Sequence, residues 1–376
     1  MRLAIVRTSN GKLDLNTYNI QEIGLGKKLL RNNFSVDFYS EFINIKDEYE
    51  YESYNGNYLT LIPIKLIAYR QITYMPGLIK KVLSKNYDII QVHENSQLMT
   101  PLIISAAKKR GIKTILYQGM YRDYVGFGYY YQKLQEFLFL KKLRKNVDVV
   151  FSKTESAKKY LESKGFTGVK HLKVGLTFLE ERTHFDIQAE VDLFKSKLNK
   201  VLLYIGVLDD RRDVEFLLRV LRMALDKEGK FSMGIMIVGR GPNLIKIKEL
   251  SRELDIENNL LFINSVPNDQ ISYVYEACDL FLLPSHYEIY GMVVLESLYY
   301  GLPVISSPTA GPKDILTVEY LGSILDFDEN RWVNKILFYL NSLYLSQEYK
   351  VSRKNYLIDN FCWEKIARQY INYIQN

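Results

Sequence analysis

Ser285-His286-Tyr287-Glu288-Ile289-Tyr290-Gly291-Met292-Val293-Val294-Leu295-Glu296, running on to Gly301-Leu302-Pro303-Val304-Ile305-Ser306-Ser307, decides the fold. Just upstream, Leu280-Phe281-Leu282-Leu283 is a short apolar run closed by Pro284, the pattern of a strand buried in a parallel sheet. Ligands bind beyond the carboxyl ends of such strands, so residues 285–290 are expected at a crevice. From Gly291 onward Met292, Leu295, Glu296, Leu298 and Tyr299 recur at helical spacing, and Gly301-Leu302-Pro303 stops the helix in Gly-then-Pro order. The helix start faces the same crevice, where its unpaired N–H groups and partial positive charge suit a phosphate or diphosphate. Glu288 stands in the loop at its mouth. Eight helical residues span roughly 12 Å, so Glu288 and Glu296 are expected to grip two ends of one extended ligand, not to share one bond as an acid/base pair.

Outward from this segment the pattern repeats. Val201-Leu202-Leu203-Tyr204-Ile205-Gly206 reads as a strand ending in glycine, followed by Asp209-Asp210-Arg211-Arg212 and an amphipathic helix. Arg211 and Arg212 can engage phosphate oxygens through their guanidinium forks. Ile237-Val238-Gly239-Arg240-Gly241-Pro242 is a strand and a tight turn; Leu244 replaces the third glycine of a dinucleotide fingerprint. Residues 261–263 give another strand. In the amino-terminal half, residues 3–6, 36–39, 88–93, 113–117 and 147–151 read as strands separated by helices, and Asn55-Gly56 sits inside an alternating stretch that predicts an antiparallel hairpin. The alternation predicts a doubly wound α/β chain.

The 376 residues suit two domains. No apolar run approaches the roughly 18 residues that span a bilayer, and the first residues lack the basic-then-apolar layout of a signal peptide, so a cytoplasmic protein is expected. Cys278 and Cys362, far apart and without metal spacing, are expected as free buried thiols. The net charge of +7 is modest, 50 basic against 43 acidic residues. It is unevenly spread: residues 129–145 and 69–85 mix aromatics with bases, a composition able to lie on an anionic membrane surface and equally that of ordinary solvated helices. No nucleic-acid partner is expected. Asp326-Phe327-Asp328 resembles a metal-binding Asp-x-Asp, but its place before a helix predicts Asp328 as a cap. No catalytic metal and no cofactor are expected.

Glu288-x7-Glu296 inside Pro-Ser-x-Tyr-Glu-x-Tyr-Gly…Leu-Glu-Ser…Gly-Leu-Pro-Val resembles the signature of the retaining glycosyltransferases of family 4. Those enzymes have the GT-B fold, two Rossmann-like doubly wound domains facing across a cleft. The resemblance extends over nearly the whole chain and is dense over residues 201–315. It implies an acceptor-side domain over 1–180, a nucleotide-sugar-binding domain over 181–355, and a carboxyl-terminal helix over 356–376 packing back on the first.

It further implies transfer of a sugar, with retention, from a nucleotide-diphosphate sugar to a glycan or lipid-linked acceptor in cell-surface polysaccharide or glycoconjugate synthesis, at the inner face of the membrane where the acceptor is lipid-linked. Glu288 is assigned to the donor sugar's hydroxyls. Glu296, Arg211, Arg212, Gly206, Gly239, Tyr290, Gly291 and Met292 form the expected donor-binding set. On the acceptor side stand Asn19, Gln21, His93 and Glu94. Two positions depart from the family: Val207 replaces an arginine at the diphosphate, and Gln118 stands where a histidine follows the strand of residues 114–117. Gln118 can hydrogen-bond a sugar hydroxyl but does not titrate near neutrality. These departures keep two other readings open, a sugar-nucleotide epimerase or hydrolase of the same fold, and a non-catalytic partner subunit.

Overall fold

The computed structural model describes residues 1–8, 11–15, 20–70, 72–177, 186–227 and 232–375. The chain divides into two compact units, Met1–Thr177 with Phe361–Asn376, and Phe178–Asn360.

In the first unit the apolar runs become β1 (Arg2–Val6), β2 (Ser35–Ser40), β3 (Tyr49–Tyr54), β4 (Asn57–Pro63), β5 (Ile67–Tyr69), β6 (Ile72–Tyr74), β7 (Ile89–His93), β8 (Lys113–Gln118), β9 (Val149–Ser152) and β10 (Lys170–His171). Eight of them form one sheet in the order β10-β9-β8-β7-β1-β2-β4-β3. Every pair is parallel except β3 with β4. Asn55 and Gly56 join those two with φ of 47° and 78°, the positive pair that a two-residue hairpin turn needs. The hairpin lets β4 run parallel to β2 without a helical crossover and leaves β3 on the edge, where Glu50 and Glu52 put charge on the open strand. Chain order reverses between β1 and β7, the topological switch point of this sheet.

The helix Trp363–Gln375 belongs to this unit. Its Trp363 indole donates to Thr177 Oγ1 at 3.2 Å and fills the space beside Gly24, where a Cβ would lie 2.2 Å from the ring nitrogen. Gly24 is thus a packing glycine inside the helix Gln21–Leu30.

In the second unit β11 (Lys200–Ile205), β12 (Met233–Val238), β13 (Leu260–Ile263), β14 (Leu280–Leu283), β15 (Val304–Ser306) and β16 (Gly322–Ile324) form one sheet, ordered β13-β12-β11-β14-β15-β16 and parallel throughout. Counted within the unit this is 3-2-1-4-5-6, the doubly wound order, with its reversal between β11 and β14. The apolar stripes of helices Val214–Lys227 and Glu329–Asn341 cover one face; buried Trp332 meets the Phe216 ring edge-on at 5.2 Å. Asp328 caps the second of these helices by accepting from Arg331 N at 2.9 Å, as its position predicts. The guanidinium of fully buried Arg353 donates to three backbone carbonyls, Gly301 O at 2.8 Å, Tyr320 O at 2.6 Å and Tyr344 O at 2.5 Å.

Two expectations change. The basic aromatic stretch from Tyr69 is not helical at first: β5 and β6 form an antiparallel ribbon, and the helix that follows is short, Leu78–Leu83. Gly291 precedes its helix in a left-handed conformation (φ 79°), so the helix is Met292–Tyr299 and half of the Glu288-to-Glu296 spacing is loop. Residues 174–176 form no strand, and Leu176 makes only an isolated bridge to Cys362. Both cysteines are free and buried. Among the described residues no helix is long and apolar enough to cross a membrane.

Candidate functional site

The loops after β11 and β14 leave the second sheet at its switch point, and they are bolted together there. Arg212 Nη1 donates to Ser285 Oγ at 2.8 Å and forms an ion pair with Glu288 Oε2; both charged side chains are 13% exposed. His286 N donates to Arg211 O at 2.9 Å, and the His286 ring, stacked on Phe327 at 4.2 Å, lies 3.3 Å from Asp213 Oδ2. Ser307, following β15, closes the far side: its Oγ accepts from Ser285 N at 2.8 Å and donates to Ser285 O at 2.5 Å. Arg212 keeps its Nε buried with no acceptor among the described residues. Arg211 is more open, 3.8 Å from Asp209 Oδ2.

Glu288 reaches forward as well as back. Its Oε1 accepts from Gly291 N at 3.2 Å, so the carboxylate both pairs with Arg212 and holds the turn that starts the helix Met292–Tyr299. Tyr290 is buried beneath this turn; a Cβ on Gly311 would lie 1.7 Å from its carbonyl oxygen, so only glycine lets the next loop cross there. Glu296, on the helix, accepts from Tyr275 OH at 2.8 Å. Burial and the adjacent Glu296 charge hold the Tyr275 hydroxyl well above its ordinary pKa, so it remains a donor. At the ends of β11 and β12, a Cβ on Gly239 would lie 1.9 Å from Gly206 O: these two glycines bring backbone against backbone.

In the first unit a second polar cluster sits at the carboxyl ends of β1, β7, β8 and β9, again at the switch point. Buried His93 lies with Nδ1 3.2 Å from Glu22 Oε1 and Nε2 2.9 Å from Gln91 Nε2. Burial holds the imidazole below its ordinary pKa; the Glu22 carboxylate, although burial alone would raise it, is held below the usual carboxylate range by the hydrogen bond from His93. Buried Lys153 donates to Gln21 Oε1 at 3.0 Å and lies 5.2 Å from the centre of the Tyr117 ring, and its pKa too is lowered by burial.

Two expected contacts are already taken up inside this unit. Glu94, at φ 64°, accepts from Gly119 N and Met120 N at 3.1 Å each. Gln118 has no exposed surface: its Oε1 accepts from Asn95 N at 2.8 Å and its Nε2 donates to Met120 O at 3.1 Å. The amide is a bracket between two loops, not a group presented to a sugar. Asn19 lies outside the described residues.

Tyr275, Ser307 and Lys153 are the candidate-site residues that sequence reading missed. Lys153 alone carried a local signal, a cation placed directly between a strand and the helix that Thr154 caps. A cavity of about 410 Å³ opens elsewhere, between the Lys113 end of β8 and the closing helix. Its lysines are engaged, Lys108 by Asp148 and Lys113 and Lys170 by the carbonyls of Ile374 and Tyr373.

Residues 188–355 match the family model described as glycosyl transferases group 1. An uncharacterized glycosyltransferase of Methanocaldococcus jannaschii is 24% identical over 93% of this chain and 91% of its own length. The alpha-monoglucosyldiacylglycerol synthase of Streptococcus pneumoniae is 22% identical over 84% of this chain and 74% of its own. The solved structure of Anabaena HepE in complex with UDP covers 100% of both chains at 13% identity with a TM-score of 0.75, which supports the fold. The comparisons thus show the GT-B fold for the chain and, over residues 188–355, a similarity to glycosyl transferases group 1.

Proposed function

We propose that the chain is a retaining hexosyltransferase of family 4, moving a sugar from a nucleotide-diphosphate sugar to a glycan or lipid-linked acceptor in the synthesis of a cell-surface polysaccharide or glycoconjugate, in the cytoplasm and without a catalytic metal. The observation that carries this reading is the Arg212–Glu288 ion pair, set at the switch point of the second sheet and continued to the helix start through Gly291 N. A diphosphate entering there meets Arg212, whose Nε has no other acceptor among the described residues, the open Arg211, and the N-terminus of the helix Met292–Tyr299. It takes Arg212 from Glu288 and so frees that carboxylate for the hydroxyls of the donor sugar. Glu296, steadied by Tyr275, receives the ribose hydroxyls. The close approach of Gly206 and Gly239 leaves room beside the nucleotide. The names of the pneumococcal relative and of the UDP-bound neighbour support a lipid-type acceptor and a nucleotide donor.

Transfer then runs on one face of the sugar. The bond from the anomeric carbon to the diphosphate oxygen breaks, the bond to the acceptor oxygen forms on the same side, and the acceptor's proton passes to the departing diphosphate. Fixed donors around that diphosphate, Arg212 first, stabilise the charge that develops on it. On the acceptor side Gln21, His93 and Lys153 take part, while Gln118 and Glu94 position the 119–120 turn. The test is a panel of nucleotide sugars incubated with and without oligosaccharide or diacylglycerol acceptors, with product configuration read by NMR. Retained configuration with an acceptor, lost in Glu288→Ala and Glu296→Ala, is expected. Hydrolysis or epimerisation of the donor at the same rate without any acceptor favours the epimerase or hydrolase, and unchanged turnover in both variants sinks the assignment.

A further inference from the structure

The helix Phe127–Asn146 is built inside out. Toward the protein it buries Gly128, Gln132, Gln135 and Leu143. The two glutamines are satisfied there: Gln132 Nε2 lies 2.8 Å from both Asp123 Oδ1 and Glu136 Oε1 and 2.6 Å from Tyr160 OH, and Gln135 donates to Asn95 O at 3.1 Å. Toward solvent it presents Phe127, Tyr130, Leu134, Phe137 and Leu138, with Phe137 86% and Tyr130 73% exposed. Their spacing of three and four residues makes one continuous stripe. A contiguous exposed apolar stripe of this kind marks an interaction surface.

The stripe continues onto the β5–β6 ribbon. Arg70, at the ribbon's turn, lies 5.4 Å from the centre of the Phe127 ring and 5.7 Å from that of Tyr69, and Ile67, Tyr69 and Tyr74 are exposed beside it. Apart from Glu136, the charged residues of the helix and the ribbon have one sign, and Asp123 beside them is paired with Lys133 and Lys164. Lys141, Lys142, Arg144 and Lys145 follow the stripe along the helix, and Lys65 and Lys80 flank the ribbon. The helix's one carboxylate, Glu136, is mostly buried and already paired with Lys133 and Lys164. Within 65–85 there is no acidic residue at all.

We infer that this face, Phe127 to Lys145 with the β5–β6 ribbon, docks the protein on an anionic phospholipid surface. Aromatic and leucine side chains enter the headgroup boundary while the lysines and arginines meet lipid phosphates. A second copy of the chain fits worse, because a two-fold contact sets the patch against itself and so base against base. The inference goes beyond the transfer reaction and does not rest on it, since its test reads partition and not turnover.

The full chain is sedimented at low salt with vesicles of equimolar phosphatidylcholine and phosphatidylglycerol, and separately with phosphatidylcholine alone. Binding to the anionic vesicles only is expected, falling at high salt. Leu134→Ser with Phe137→Ser, and independently Lys141→Glu with Lys142→Glu, are expected to weaken it by about tenfold or more. All four side chains are exposed, so thermal stability and nucleotide-sugar turnover on a soluble acceptor stay at wild-type values. Failure to bind anionic vesicles overturns the inference, as does binding that neither pair of substitutions weakens. A dimer in analytical ultracentrifugation that the Leu134/Phe137 variant abolishes, in a protein that does not bind vesicles, assigns the face to self-association instead.

Discussion

Arg212 and Glu288 come from loops that follow two different strands, β11 and β14, and meet as an ion pair where the chain order of the second sheet reverses. A doubly wound sheet opens its ligand crevice at that place, because the helices on either side leave in opposite directions. Each residue is held by a neighbour, Arg212 by Ser285 and Glu288 by Gly291 N. The pair is therefore a preformed charge arrangement, and under the proposed function an incoming diphosphate has only to exchange one anion on Arg212 for another.

That exchange sets the first expectation. Arg212→Ala and Glu288→Ala are each expected to lower transfer by about a hundredfold or more, and each leaves its partner half-desolvated at a cost of roughly 1–3 kcal/mol in stability. The double variant should cost less stability than the sum of the singles. Urea unfolding of all three, beside their turnover, checks it; additive losses would mean that the pair is a contact of convenience.

Tyr275→Phe removes the hydroxyl that donates to Glu296 and also meets Ser297. A loss of about 1 kcal/mol in stability is expected. Because Glu296 is assigned to the ribose, the kinetic effect should fall on donor KM, raised several-fold, with kcat little changed. A fall in kcat at constant KM would place Glu296 in the chemical step instead.

Acid should weaken the first unit before most carboxylates titrate. His93 is held below its ordinary value of 6.5, so below that pH the unfolded chain takes up a proton that the folded chain refuses. Glu22, held below its ordinary value, acts in the same direction at lower pH. Stability is fully present above about pH 6.5 and falls as pH drops, at no more than about 1.4 kcal/mol per pH unit for this one proton. Gln91, Lys153, Glu94 and Tyr117 surround the ring and set the size of the effect. Urea midpoints from pH 8 to pH 5 for wild type and His93→Asn measure it, and a slope that persists in the variant would assign the proton elsewhere.

What the sequence made legible was what neighbouring residues decide. The apolar runs gave the strands, Asn55-Gly56 the hairpin, and Asp328 the helix cap. The spacing of Glu288 and Glu296 pointed at the crevice even though the helix starts one residue later than the glycine suggested. The rest depends on contacts between distant segments. Nothing near Glu296 announces Tyr275, and nothing near Gly24 announces the Trp363 ring that needs its missing side chain. Gln118 occupies a strand end that faces ligand in a simple reading, yet the Asn95 and Met120 backbones claim both ends of its amide. On residues 127–138 composition left a membrane-facing and an ordinary solvated helix equally open, and only the packing shows that the apolar side chains point outward.

Arg353 shows how such a long-range contact reaches the site. Burial lowers its pKa only to about 10, so it stays a cation, and among the described residues it has no carboxylate partner: its guanidinium ties the carbonyls of Gly301, Tyr320 and Tyr344. Gly301 ends the helix that begins beside Glu288, so the guanidinium fixes the far end of the candidate donor-binding helix. Arg353→Met keeps the apolar stem but leaves three carbonyls without their donor, and a loss of roughly 3 kcal/mol or more is expected. Arg353→Lys, with a point charge in place of a planar fork, should recover only part of it. Hydrogen exchange then separates a local from a global effect: amides of residues 294–302 should exchange faster in Arg353→Met, while those of β7 and β8 in the other unit keep their protection. Equal acceleration in both units would show that Arg353 supports the whole chain and not the site helix.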